Sequence, residues 1–186
     1  QGGPVLGMTI NAYTLLAFAP RADDRVRLRS VNYPGLVSFR LSQPKDNTGS
    51  FWGNYPRGAA LALRQRASIQ RGIDGLVSGH LPGGGLSSSA SVLLAYLKAL
   101  AEANAIQPDP WELVHLTQQA ENVHIGLKNG ILDQTSIVFG QTGRLIHIET
   151  LKPNVSAIAP PENADAFRVL VAYSGYSREL TTTGYN

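Results

Sequence analysis

The chain has 186 residues and a mass of 19.9 kDa, enough for one domain with a sizeable buried core. It has no cysteine, so disulfide frameworks, thiolate metal sites and thiol catalysis are excluded, and its four histidines are too scattered for a HExxH-type site. Hydrophobic residues at 43% and charged residues at 16% suit a globular chain rather than a disordered one, and no apolar run approaches the roughly 18 residues of a membrane span. The net charge is +3 and the pI about 9.3, with arginine supplying 12 of the 16 cations. That bias suits phosphate ligands or nucleic acid. No run of like charges exists, however, and a solvated surface explains the composition as well.

The chain opens on Gln1-Gly2-Gly3-Pro4 and closes on Thr183-Gly184-Tyr185-Asn186, and both ends read as cuts within a longer protein. Val5 to Ala19, rich in β-branched and aromatic residues, predicts one long strand. Val26–Val31 and Val37–Leu41 alternate apolar with polar, and Tyr33-Pro34-Gly35 between them predicts a hairpin. Residues 42–54 read as loop, followed by a helix from about Pro56 to Ser68 and a strand from Ile73 to His80. An Ala/Leu-rich helix is expected from about Ser87 to Asn104. A second, capped by Asp109 with Pro110 at its first position, runs to about His124. A short helix starts near Asn129 or Gly130, and Arg144–Ile148 and Phe167–Tyr173 read as strands. Strands and helices mix without strict alternation, which predicts an α+β fold, a mixed β-sheet layered with helices.

The most informative segment is Pro82-Gly83-Gly84-Gly85-Leu86-Ser87-Ser88-Ser89-Ala90-Ser91, between a strand and a helix. Glycines let backbone approach a ligand closely. A helix N-terminus presents unpaired N–H groups and a positive dipole end, both favourable to phosphate, and serine hydroxyls can bind phosphate oxygens or Mg2+. A Walker A loop is excluded because no lysine occurs between Lys45 and Lys98. A Rossmann fingerprint fits less well, since Ser88 stands where the third glycine belongs. A nucleophile elbow lacks its last glycine. The plainest alternative is a flexible loop before a serine-capped helix.

Two carboxylates follow. Glu121 lies near the end of a predicted helix, and Asp133 lies in Gly130-Ile131-Leu132-Asp133-Gln134. Phosphoryl transfer needs a metal on the β/γ oxygens and a carboxylate beside the attacking hydroxyl. Each residue taken alone also reads as an ordinary surface or capping acid.

The glycine–serine segment resembles the second motif of the GHMP kinases, PxxxGLxSSAx, in the PxGxGLSSSAS form of galactokinases. Gly130-Ile131-Leu132-Asp133-Gln134 resembles their GIMDQ segment, Trp52-Gly53-Asn54-Tyr55-Pro56-Arg57-Gly58 their W-x-N-Y-x-K-G stretch, and Gln1–Leu6 the tail of their first motif. Ser174–Leu180 and Thr183–Asn186 resemble the segment that ends in a sugar-binding tyrosine.

The resemblance implies a GHMP kinase N-terminal domain over residues 1–186, whose fold is similar to a ribosomal-protein domain. It is incomplete at its start and lacks the C-terminal domain. It further implies ATP-dependent phosphorylation of the anomeric hydroxyl of galactose, with sugar, ATP and Mg2+ as ligands and neither nucleic acid nor membrane as partner. A cytoplasmic location follows from the same likeness. By the same carry-over, Asp133 is the catalytic base. Gly83, Gly84, Gly85, Leu86, Ser87, Ser88, Ser89 and Trp52 bind ATP; Gly130, Asp133 and Tyr185 bind sugar; and Ser89 and Glu121, 32 residues apart, hold the metal. An isolated fragment of this kind is expected to be poorly active. Trp52 as a core aromatic and Tyr185 as a surface tyrosine are the ordinary alternatives.

Met8-Thr9-Ile10-Asn11 and Leu180-Thr181-Thr182 also resemble plant-type galacturonokinases, which act on a sugar acid. A non-catalytic sugar and ATP sensor is a further alternative, which the intact Asp133 and serine trio disfavour. An RNA-binding module is disfavoured by scattered arginines without interleaved aromatics.

Overall fold

The computed structural model describes residues 3–44, 51–80, 86–151, 154–163 and 168–172. The strands form two sheets. β1 (Pro4–Gly7), β6 (Leu145–Glu149) and β7 (Asn154–Ile158) make an antiparallel sheet in the order β1-β6-β7. β2 (Thr14–Pro20), β3 (Arg25–Ser30), β4 (Leu36–Arg40) and β5 (Ile73–Gly79) make a mixed sheet in the order β2-β5-β3-β4, in which β3 and β5 run parallel. The expected α+β architecture with a mixed, helix-layered sheet is therefore observed.

Alternation decides which face of the mixed sheet is buried. Val26 and Leu28 of β3 and Val37 and Phe39 of β4 point inward, while Arg27, Arg29 and Arg40 are exposed. Onto that face pack α1 (Asn54–Arg66) and α2 (Ser88–Ala103). Ala59, Ala60, Ala62 and Leu63 of α1 and Leu93, Tyr96, Leu97 and Leu100 of α2 join the sheet residues in one core. The small alanines let α1 approach its neighbours closely, and Leu and Tyr fill the space between. Arg64 and Arg66 in the last turn of α1 complement its dipole.

α3 (Pro110–Gln119) begins with the expected cap, in a fuller form than the sequence suggested. The Asp109 carboxylate accepts from the Glu112 N–H at 2.9 Å, and the Glu112 carboxylate accepts from the Asp109 N–H at 3.0 Å. The other Glu112 oxygen meets the Arg66 Nε at 2.6 Å, which ties α3 to α1. α3 does not continue as an ordinary helix to His124. Residues Ala120–Ile125 form a wider π-helical turn, ended by Gly126 at φ +90°, a backbone state that a side chain would strain. Both the Gly126 and Leu127 N–H groups donate to the Glu121 carbonyl at 2.9 Å.

α4 (Leu132–Phe139) follows and packs against β1 and β6. Gly140 at its end lies against Thr9 after β1. A Cβ there would stand 2.3 Å from the Thr9 Cγ2 and 2.7 Å from the Ser136 carbonyl oxygen.

The strand expectations need correction. Val5–Ala19 is two strands, β1 and β2, which belong to different sheets and are separated by Met8–Tyr13. β7 was not anticipated. Residues 168–172, read as part of a strand, form none; Leu170 is 91% exposed, so this apolar run has no buried face to order it. Phe167 and Tyr173, the ends of that expected strand, lie outside the described residues.

Asp109→Ala is expected to cost about 1 kcal/mol in urea unfolding by removing the cap. Gly140→Ala is expected to cost about 1–3 kcal/mol, because the new methyl meets backbone as well as a side chain. Glu112→Gln keeps the reciprocal cap but loses the Arg66 pairing. That guanidinium first, and the Asp109 N–H second, hold the Glu112 carboxyl below its ordinary pKa. The stability this adds is complete above the unfolded pKa and is lost as pH falls through the folded one. The urea midpoint of Glu112→Gln should therefore lie below that of the wild type at neutral pH and converge with it as the pH falls through the lowered Glu112 pKa.

Candidate active site

The fold brings Ser89, Glu121 and Gln134 together from three elements. Ser89 is in the first turn of α2, Glu121 in the π-helical turn, and Gln134 in the first turn of α4. Glu121 is completely buried, which a carboxylate tolerates only when its oxygens are satisfied. The Ser89 hydroxyl donates to its Oε1 at 2.8 Å, and the Gln134 Nε2 donates to its Oε2. Burial pushes the Glu121 carboxyl above its ordinary pKa. The donors Ser89, Asn129 and Gln134 oppose that rise, and the nearby Asp133 charge adds to it.

A second set of bonds shapes the approach to Asp133. The Asn129 carbonyl accepts from the Gln118 Nε2 at 3.2 Å and the Asn122 Nδ2 at 3.1 Å, while the Asn129 N–H donates to the Asn122 Oδ1 at 3.0 Å. These hold the loop before α4 against the end of α3. Gly130 then sits in open space, where a Cβ would meet nothing. Asp133 is half-buried in the first turn of α4, where the helix dipole favours a negative charge. Gln134, Thr135 and Ser136 are buried behind it, and their Oε1, Oγ1 and Oγ atoms have no hydrogen-bond partner among the described residues.

At the start of α2, Ser87 occupies the cap position but does not cap. Its backbone is left-handed, at φ 56°, and its side chain makes no bond to the helix. A non-glycine residue in that region is held at a cost of about 1 kcal/mol. The first N–H groups of α2 thus receive no cap from Ser87, contrary to the plain serine-cap reading. Ser87, Ser88 and Ser89 are half-buried at that end and Leu86 is exposed.

The remaining sequence candidates fall elsewhere. Trp52 is only 7% exposed, belongs to the core, and its indole N–H donates to the Pro34 carbonyl at 3.2 Å. That is the core-aromatic alternative, and little of the ring is open to an adenine. Gly83, Gly84, Gly85 and Tyr185 lie outside the described residues. Gln134 and Asn129 were not singled out from the sequence, although the Gly130–Gln134 motif contains the first and adjoins the second.

Among the described residues no group of three or more His, Asp or Glu is placed to hold a metal. A hydroxyl beside one carboxylate is nonetheless an oxygen donor set suited to Mg2+, which is commonly held by one or two carboxylates together with substrate phosphates. Ser89, Asn129 and Gln134 engage three of the roughly four lone-pair directions of the Glu121 carboxylate, which leaves one toward a cation. No described helix is long and apolar enough to cross a membrane.

Residues 54–141 match the model for the GHMP kinases N terminal domain. The chain is 39% identical to a galacturonokinase of Arabidopsis thaliana, over 100% of this chain and 49% of that protein. It is 38% identical to a galactokinase of Thermococcus kodakarensis, over 98% of this chain and 51% of that protein. Among solved structures it resembles Lactococcus lactis galactokinase complexed with galactose, with a TM-score of 0.81, 33% identity, and coverage of 85% of this chain and 42% of the other. A mevalonate kinase of Methanococcus jannaschii shares the fold, with a TM-score of 0.69 at 21% identity. The chain spans about half the length of the curated relatives it matches. The segment from α1 to α4, which carries Ser89, Glu121, Asp133 and Gln134, is the part that matches the GHMP kinases N terminal domain, and it is through this segment that the chain is similar to that family.

Proposed function

We propose that this chain is the N-terminal half of an ATP-dependent sugar 1-kinase that phosphorylates the anomeric hydroxyl of galactose. The observation that carries the reading is the meeting of Ser89 and Glu121 at 2.8 Å beside the helix turn that bears Asp133. The matching galactokinases are 32–38% identical along essentially the whole chain, which supports the same reading.

In this reading, the N-terminus of α2, which Ser87 does not cap, and the hydroxyls of Ser87 and Ser88 receive the triphosphate, with Gly83, Gly84, Gly85 and Leu86 preceding that turn in sequence. Ser89 and Glu121 would hold Mg2+, which when bound would supply neutralisation of the charge on the phosphates. Asp133 accepts the proton of the sugar 1-hydroxyl as that oxygen attacks the γ-phosphorus. The bond from the γ-phosphorus to the bridging oxygen breaks, and ADP leaves with that electron pair. Gly130 offers an open approach to the sugar, and Tyr185 is assigned to the sugar as well. Trp52, being in the core, contributes to the nucleotide pocket through its packing rather than as an open stacking face.

A second reading has galacturonate as the acceptor. The 39% identity to a galacturonokinase and the stretch Met8-Thr9-Ile10-Asn11 favour it. The chemistry at Asp133 is the same in both.

The test is ADP release by the full-length protein with a sugar panel. Galactose should have a higher kcat/KM than galacturonate; the reverse order would select the second reading, and no turnover of either would remove both. Asp133→Asn should lower kcat by about 10²–10⁴-fold while leaving ATP affinity unchanged. An unaltered rate would overturn the assigned base.

A further inference from the structure

Gln134 lies immediately after the proposed base and directly against the proposed metal carboxylate. Its two amide atoms stand in different situations. Nε2 donates to the Glu121 Oε2, while Oε1 is buried and has no partner among the described residues. An orphaned buried acceptor is costly and rarely kept without a use. The nearby Thr135 and Ser136 hydroxyls are less informative, because a helical hydroxyl can rotate to a carbonyl one turn back. The Gln134 amide has no such freedom: with Nε2 on Glu121, the position of Oε1 is fixed.

An amide oxygen only accepts, so its missing partner must be a donor. Phosphate oxygens at neutral pH are acceptors and cannot serve. The donor nearest in chemistry is a water carried by the cation that Ser89 and Glu121 would hold, since Mg2+ keeps several of its waters. Metal ligands are commonly oriented by such outer contacts, and losing one lowers metal affinity by about 10–100-fold.

We propose that Gln134 is a positioning residue of the metal centre: its Nε2 orients Glu121 toward the cation, and its Oε1 accepts a hydrogen bond from a cation-bound water. This inference rests on the kinase reading of the site and assigns it a residue beyond Ser89, Glu121 and Asp133. Gln134 thereby links the metal carboxylate to the helix turn that carries the base, so the two are set by one side chain.

The experiment measures Mn2+ binding to the full-length protein with a non-hydrolysable ATP analogue, by electron paramagnetic resonance and water-proton relaxation. Wild-type protein should bind Mn2+. Gln134→Met, similar in size but without donor or acceptor, should bind it about 10–100-fold more weakly, with the affinity for metal-free ADP unchanged. A purely structural role would move both affinities together.

Equal Mn2+ affinity in Gln134→Met and wild type would overturn the assignment while leaving the kinase reading intact. Failure of the wild type to bind Mn2+ with nucleotide would remove that reading and the inference with it. Should Gln134→Met not fold, the side-chain amide signal of Gln134 in the wild type decides by NMR. It should shift on adding Mg2+ with nucleotide and broaden with Mn2+. A signal that responds only to sugar, or to neither, would overturn the proposal.

Discussion

A carboxylate sealed away from water is the constraint around which this domain is organised. Glu121 cannot remain buried without donors, and they come from two other helices and a loop: Ser89 on α2, Gln134 on α4 and Asn129 just before α4. Each bond is short in reach, so the three elements must meet within a few ångströms. Satisfying one charge therefore fixes the relation of the phosphate-facing helix end to the turn that bears Asp133. The cost of burial and the placement of the site are one physical fact.

The rest of the structure serves that meeting. The mixed sheet and α1 supply the flat apolar bed on which α2 lies. The smaller sheet packs against α4 through β1 and β6, and Gly140 just after α4 closely approaches Thr9 just after β1. The Asn122–Asn129 pair holds the loop between them, so that backbone groups which would otherwise need water are paired within the protein. The left-handed Ser87 backbone turns the chain into α2 while its own hydroxyl is not used as the cap.

Much of this was legible in the residues. The alternation of Val26, Leu28, Val37 and Phe39 gave the hairpin and its buried face, and Asp109-Pro110 gave the start of α3, because these signals are local. The Gly–Ser segment, Glu121 and Asp133 stood out through their resemblance to the motifs of a known family, not through any local pattern of their own. What local patterns miss is partnership across the fold. β1 and β2 read as one strand because both are strand-forming; only their membership of different sheets separates them. β7 escaped because its alternation is weak until β6 lies beside it. Gln134 looked like the polar neighbour of an acid, and its burial against Glu121 emerges only when α3 and α4 are packed. Trp52 shows the opposite case, where a motif pointed to a ligand and packing placed the ring in the core.

The π-helical turn at Ala120–Ile125 fits one more residue into each loop of backbone than an ordinary helix does. Removing a single residue there would restore regular winding, yet it would swing whatever follows by roughly 100° around the axis. The irregularity thus acts as a phase shifter: a sequence change that made the helix locally more perfect would put Asn122, which lies within the turn, out of step with Asn129 and the loop that it supports.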